Sequence, residues 1–374
     1  MKNFCHNAFT GLDISPAGNI KPCCKFLDKE IPKFNIKDGI TSYKGSDFLK
    51  DLQDQFLQDQ RPKGCSRCWT EEEAGIRSKR QLDYIRHQTH FDLLKTNDSE
   101  FTNISLAFGN ICNFSCRICG PASSSRWVSE ISRHNNISNP IHTWYKDKNV
   151  MDDIFNHTKN AVHFDIPGGE PLLVEIDEHF DFLSRFPLEK AKDISLHYTT
   201  NGSVFPKKEF LDVWKCFKEI DLQLSIDDTG QRFEYNRWPG KWNDVYDNIK
   251  SFQKLETDNK NIRLSVSFTV SVFTIYHADE FYQWCKNEDL PNPWMGRLNA
   301  PVHYRAGVLG KETNKKIREK LSRSKFLEVQ KLTSYVDDRD HQHYAQFKEY
   351  TDQLDSIRNQ EFHKIFPELS QISQ

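Results

Sequence analysis

Residues 104–120 read ISLAFGNICNFSCRICG. The first six form a short apolar run of the kind that makes a buried strand. The rest, rich in turn formers, places Cys112, Cys116 and Cys119 within eight residues. A closed zinc site or a fully ligated iron–sulfur cluster takes four ligands. Three thiols leave one metal position open. An open position is where an exogenous ligand binds.

Working outward from that stretch, similar runs recur as AVHFDI (161–166), DISLHYT (193–199), DLQLSI (221–226) and IRLSVSFTV (262–270). A sixth is expected within 295–308, MGRLNAPVHYRAGV. Amphipathic stretches alternate with them, such as IDEHFDFLSRF, KKEFLDVWKCFKEI and KWNDVYDNIKSFQKL. Strand alternating with helix predicts an α/β fold with a parallel sheet, open or curled into a barrel. Ligands then gather at the carboxyl ends of the strands. ICNFSCRICG, PGGEP, TNG and IDD follow the first four runs in turn, which outlines one mouth.

The chain has 374 residues, 28% charged, with a net charge of −2 and 27 Phe. That balance calls for no nucleic acid, and the aromatic content suits large buried surfaces. Mean hydropathy is −0.72, and no apolar run reaches membrane-spanning length. The start, MKNFCHNAFTG, lacks the regions of a signal peptide, so a cytoplasmic location is expected. There thiols stay reduced, and metal binding is the better reading of ten cysteines than a disulfide framework.

CxxxCxxC after the first strand and GGEP after the second resemble the radical SAM superfamily. The resemblance covers about residues 103–305. It implies a partial (β/α)6 TIM-type barrel over 100–310, with a [4Fe–4S] cluster on Cys112, Cys116 and Cys119. It further implies that S-adenosylmethionine chelates the open iron and is reductively cleaved to a 5′-deoxyadenosyl radical, which abstracts hydrogen from substrate. Substrates in that family are often peptide or protein side chains, which are oxidised, crosslinked or joined as thioethers. A small molecule, nucleotide or carbohydrate is the alternative substrate. The electron donor would be a flavodoxin or ferredoxin. Gly168, Gly169, Glu170 and Pro171 would meet the methionine moiety, with Ser225, Asp227 and Arg237 near its carboxylate or the ribose. Asn201 is the ribose candidate, and Val270 or Val272 the adenine candidate. Ile118 stands where the family usually has an aromatic residue against the adenine. No catalytic base is identified.

Cys5, Cys23, Cys65 and Cys68 form a second set within residues 1–90. It is similar to the auxiliary modules of the same enzymes, the SPASM domain and its shorter twitch version, here placed before the barrel. Four thiolates imply a second, fully ligated [4Fe–4S] cluster, with structural zinc as the alternative. Cys24 competes with Cys23 as ligand. A non-catalytic, metal-stabilised binding or redox-sensing protein is the reading from another class; it leaves GGEP, Ser225 and Arg237 unexplained.

The remaining features have plainer readings. EEEAGIRSKRQLDYIRHQTHFDLL is expected to be one connecting helix, with the SKRQ run a solvated face. A charged helical tail occupies 311–374, and its DQLDSIR segment also reads as a solvated face. Trp127, Trp214 and Trp284 are expected in the core, His197 in the core or at a rim, and Cys216 and Cys285 as buried thiols.

Overall fold

The computed structural model describes residues 3–73, 75, 77–86, 100–135, 140–173 and 177–370. It is a mixed α/β protein built around β-strands: β1 (Gly11–Ile14), β2 (Ile20–Lys21), β3 (Asn103–Leu106), β4 (His163–Ile166), β5 (Ser195–Thr200), β6 (Glu219–Ser225), β7 (Ile262–Val270) and β8 (Trp294–Arg297). Six coincide with the runs expected from sequence. The last is shorter than its window, because the chain turns at Asn299–Pro301 into a 3-10 turn at Val302–Tyr304. β1 and β2 were not anticipated. GLDI is too short to stand out, yet β1 lies parallel to β3 and antiparallel to β2.

The chain packs as two units. The first comprises Met1–Ile111, Asn139–Tyr198 and Pro206–Asp221, and holds β1 to β5 in the order β2-β1-β3-β4-β5. β3, β4 and β5 pair in parallel, as strand–helix–strand crossovers require. The second comprises Cys112–Ser138, Thr199–Phe205 and Leu222–Gln374, with β7 parallel to β8.

Register in the first unit sorts the side chains by face. Leu12, Ile104, Phe164 and Leu196 stand in one row, and all are buried. One residue further along, Lys21, Asp13, Ser105, Asp165 and His197 form a polar row across five strands. Because successive strand residues point to opposite faces, this row lies on the other side of the sheet. The apolar face is sealed by Phe155, Phe182 and Phe186 around Phe164, ring centroids 5.1–6.1 Å apart.

Ahead of the sheet, the helices Asp47–Leu57 and Ser66–Glu73 close a small core of Cys5, Ala8, Phe26, Leu52, Phe56 and Trp69. Ser46 caps the first of these by accepting from Leu49 N at 3.2 Å. The expected single connecting helix is instead two, Ser66–Glu73 and Lys79–Arg86, separated around Gly75 at φ 74°. The rest of that segment, 87–94, lies outside the described residues. The SKRQ run is not a solvated face. Ser78 is fully buried, and Arg80 pairs with Glu72 at 2.6 Å.

The tail also departs from expectation. Asp352, Gln353 and Ser356 of DQLDSIR are exposed, as a solvated face requires. Leu354 is buried, however, and Arg358, at the end of the helix Tyr344–Arg358, is 3% exposed, so the segment also turns a side inward. Among the described residues no helix is long and apolar enough to cross a membrane.

Phe56 is completely buried against Trp69 in the core that also holds Cys5. Phe56→Ala is expected to cost about 3–5 kcal/mol, measured by denaturant unfolding.

Candidate functional site

The second unit carries the three-thiol loop. Between β3 and the helix Ser125–Asn135 the chain forms no regular element, so its buried backbone must bond elsewhere. Ser115 N donates to Trp238 O at 2.7 Å and Arg117 N to Asn236 O at 2.8 Å. Ser124 Oγ donates to Phe114 O at 2.6 Å, and Trp127 Nε1 to Cys116 O at 2.8 Å. Trp127 is thus in the core, as its spacing predicts, while also holding the loop.

Each sulfur has its own surroundings. Cys112 Sγ accepts from Phe114 N at 3.4 Å and from Asn201 Nδ2 at 3.9 Å. Asn201 also donates to Asn113 Oδ1 at 2.9 Å, and Asn113 in turn donates to Ser203 Oγ at 2.8 Å. Burial pushes the Cys116 thiol up to about 12, with the Arg237 guanidinium opposing the rise. Burial raises Cys119 as well, against the pull of the Gly120 backbone and Arg237. Ile118 between them is half-buried.

Arg237 is a cation that acts on both Cys116 and Cys119. Its Nη2 meets Asp227 Oδ2 at 2.7 Å, and both side chains are nearly inaccessible. Asp227, held at φ 67°, also accepts from Thr269 N at 2.6 Å. Arg237 Nε is buried and has no hydrogen-bond partner. Buried donors are rarely left so, and this one belongs to a side chain that acts electrostatically on Cys116 and Cys119. Ser225 is half-buried, and Val270 and Val272 are buried.

PGGEP belongs to the first unit, where its glycines have a packing reason. A Cβ on Gly169 (φ 53°) would stand 2.2 Å from Ile111 O, and one on Gly168 (φ 85°) 2.8 Å from Ala107 Cβ. Glu170 is fully buried; its N donates to Ile111 O at 2.7 Å and its Oε1 accepts from Leu172 N at 3.0 Å. The loop is therefore stitched to the chain just after β3. Pro171 lines an apolar cavity with Leu172, Leu173, Phe180, Pro206 and Phe210.

Cys5, Cys23, Cys65 and Cys68 line one cavity of the first unit, with Phe26, Lys79 and Arg80. Cys24 turns into a neighbouring cavity with Asp13, Ser105, Asp165 and Lys79. Burial pushes Cys5 up to about 12 and raises Cys23, Cys65 and Cys68 too. No disulfide joins any of the ten cysteines. Among the described residues no group of three or more His, Cys, Asp or Glu side chains is arranged to hold a single metal ion. His197 bonds Asp221 at 2.8 Å, a rim position on the polar row. Trp214 is buried, donating to Tyr198 OH at 3.1 Å.

Sequence reasoning missed Asn113, Ser203, Arg117, Asp355 and Arg358. An Arg inside the cysteine motif was the available signal, since a charge held there needs a counter-charge.

No family model matches the chain. A cysteine-type anaerobic sulfatase-maturating enzyme of Clostridium novyi (strain NT) is 26% identical over 149 residues, 37% of this chain and 37% of the relative. A GTP 3′,8-cyclase of Aliarcobacter butzleri (strain RM4018) is 30% identical over 128 residues, 32% of this chain and 34% of the relative. The chain thus matches about a third of the length of these curated relatives. Among solved structures, anSMEcpe with bound AdoMet aligns at TM-score 0.42 and 16% identity over 58% of this chain and 57% of that one. Streptococcus suis SuiB aligns at 0.36 and 14% over 79% and 63%. Likenesses that shallow transfer no residue role.

Two outcomes follow from the geometry. Arg237→Leu strands the buried Asp227 carboxylate and is expected to cost about 3–5 kcal/mol in chemical denaturation; adding Asp227→Asn should recover part of it. Gly169→Ala puts a Cβ onto Ile111 O at a strained φ, and is expected to lower stability by about 1–3 kcal/mol.

Proposed function

We infer that this chain, a member of the radical SAM superfamily, is an enzyme that holds a [4Fe–4S] cluster on Cys112, Cys116 and Cys119, with S-adenosylmethionine on the open iron. When bound, that pair supplies reductive cleavage of the sulfonium and hydrogen abstraction from substrate. One observation carries the reading: the thiol loop sits beside a buried guanidinium, Arg237, with a donor unspent. A cluster with three thiolates is anionic and its chelating ligand carries a carboxylate, so a desolvated cation with a free N–H suits both.

The chain's own residues then have distinct tasks. Phe114 N and Asn201 donate toward the Cys112 sulfur, which tempers its charge. Asp227 orients Arg237, and Ser225 stands two residues before Asp227 at the end of β6. Ile118 offers an apolar contact for adenine, joined by Val270 or Val272. Gly168 to Pro171 present the methionine-side loop. The sheet is read as the partial (β/α)6 barrel of residues 100–310, with 1–90 a twitch- or SPASM-like module and 311–374 a helical extension.

Cys5, Cys23, Cys65 and Cys68 would ligate a second [4Fe–4S] cluster fully, which suits electron transfer to or from substrate; structural zinc is the rival for that cavity. Their raised pKa values mean that loading releases protons, so metal affinity should rise with pH. The substrate proposed is a peptide or protein side chain, supported by the similarity to a sulfatase-maturating enzyme. The similarity to a GTP 3′,8-cyclase favours a small molecule as the second reading. Electrons would come from a flavodoxin or ferredoxin in the cytoplasm.

Anaerobic reconstitution tests this. Wild type should hold about eight irons per chain and release 5′-deoxyadenosine from S-adenosylmethionine under reductant. Changing Cys112, Cys116 and Cys119 to Ala should remove about four irons and all release. About four irons plus one zinc in wild type would assign zinc to the N-terminal set. Zinc alone, without cleavage, would leave a metal-stabilised binding protein.

A further inference from the structure

The segment read from sequence as a charged helix surface instead reaches the thiol loop. At the end of the helix Tyr344–Arg358, Arg358 Nη2 donates to Ser115 O at 2.8 Å, the carbonyl just before Cys116. The same guanidinium grips Glu130 through Nε at 2.8 Å and Nη2 at 2.9 Å. It also lies over the Trp127 ring, 5.0 Å from the centroid. Trp127 itself holds Cys116 O, so Arg358 steadies the loop twice.

The second contact starts from the loop. Arg117, between Cys116 and Ile118, is 1% exposed. Its Nε donates to Tyr235 O at 3.1 Å, and its Cζ lies 3.7 Å from the Tyr235 ring centroid. Its Nη2 is shared between Asp355, three residues before Arg358, and Gln360 at 3.0 Å. Asp355 further accepts from Tyr235 OH at 2.9 Å and from Phe362 N at 2.6 Å. One carboxylate thus joins the loop, the helix Gly230–Asn236 and the start of the short helix Phe362–Ile365.

We propose that Asp355 and Arg358 are positioning residues for the three-thiol site, the helix Tyr344–Arg358 acting as a clamp that fixes the loop and sets its electrostatics. The inference rests on the functional reading above. A charge pair that only stabilised the fold would not need to straddle the cysteines. Here one arginine of the clamp lies within the motif, and the other caps the carbonyl beside Cys116. A buried cation so close favours the more negative, reduced state of a bound cluster.

The test uses the full chain, reconstituted anaerobically, with Asp355→Asn, Arg358→Gln and Arg358→Lys beside wild type. Iron content, circular dichroism, 5′-deoxyadenosine release and the midpoint potential of the cluster that responds to S-adenosylmethionine are read together. Arg358→Gln should keep the iron of the N-terminal set, cut release by about 10–100-fold and move the potential negative. Arg358→Lys should restore most of the potential but not the release, since an ammonium cannot keep the two-pronged hold on Glu130. Asp355→Asn should lower release while moving the potential less. If Arg358→Gln does not fold, Glu130→Gln with Arg358→Gln, which leaves neither charge unpaired, takes its place. It should still lower release through the lost hold on Ser115 O, while the potential, with both charges gone, moves less. Wild-type potential and release in the folded Arg358 variant would overturn the clamp. Wild-type protein that holds iron yet never cleaves S-adenosylmethionine would contradict the functional reading instead, and the potential would still report on the clamp.

Discussion

The loop 112–120 forms neither helix nor strand, and apart from the turn that Cys119 N closes on Cys116 O its buried backbone groups need partners elsewhere. The segment 112–120 meets that constraint by borrowing partners from distant parts of its unit. Its N–H groups reach the carbonyls of Asn236 and Trp238, and its carbonyls are held by Trp127, Ser124 and Arg358. The borrowed bonds fix where the sulfurs stand. They also explain why segments so far apart in sequence pack into one unit.

Charge follows the same logic. Three arginines are buried in or around the loop, and each has a carboxylate partner: Arg117 with Asp355, Arg237 with Asp227 and Arg358 with Glu130. Desolvated ion pairs add little net stability, but removing one partner is costly. Such pairs persist where a local field is useful, and the surroundings of the three cysteines carry such a field. In the first unit a different arrangement prevails. The row from Lys21 through Asp13, Ser105 and Asp165 to His197 makes one face of the sheet polar where the other is packed with Phe and Leu.

The parts legible in sequence were those whose meaning is local. Cys112, Cys116 and Cys119 announce themselves by spacing, and the strands by apolar runs bounded by turn residues. GGEP was legible as a position needing glycine, although the nearest reason is the close pass of Gly169 over Ile111 O. What escaped was non-local. DQLDSIR has the composition of a solvated helix, and nothing within it tells that Arg358 meets Ser115, 243 positions earlier. SKRQ misled for the same reason, since Arg80 owes its burial to Glu72 on the preceding helix. β1 was missed because four residues carry too little periodicity, and its place is set by pairing with β3.

The central claim is that one cluster site has an iron open to S-adenosylmethionine, and electron paramagnetic resonance of the reduced protein addresses it most directly. Spectra are recorded with and without S-adenosylmethionine, in wild type and in protein with Cys112, Cys116 and Cys119 changed to Ala. The account predicts that S-adenosylmethionine reshapes one signal in wild type and that this signal is missing from the variant. A wild-type spectrum indifferent to S-adenosylmethionine, with iron fully loaded, would contradict it.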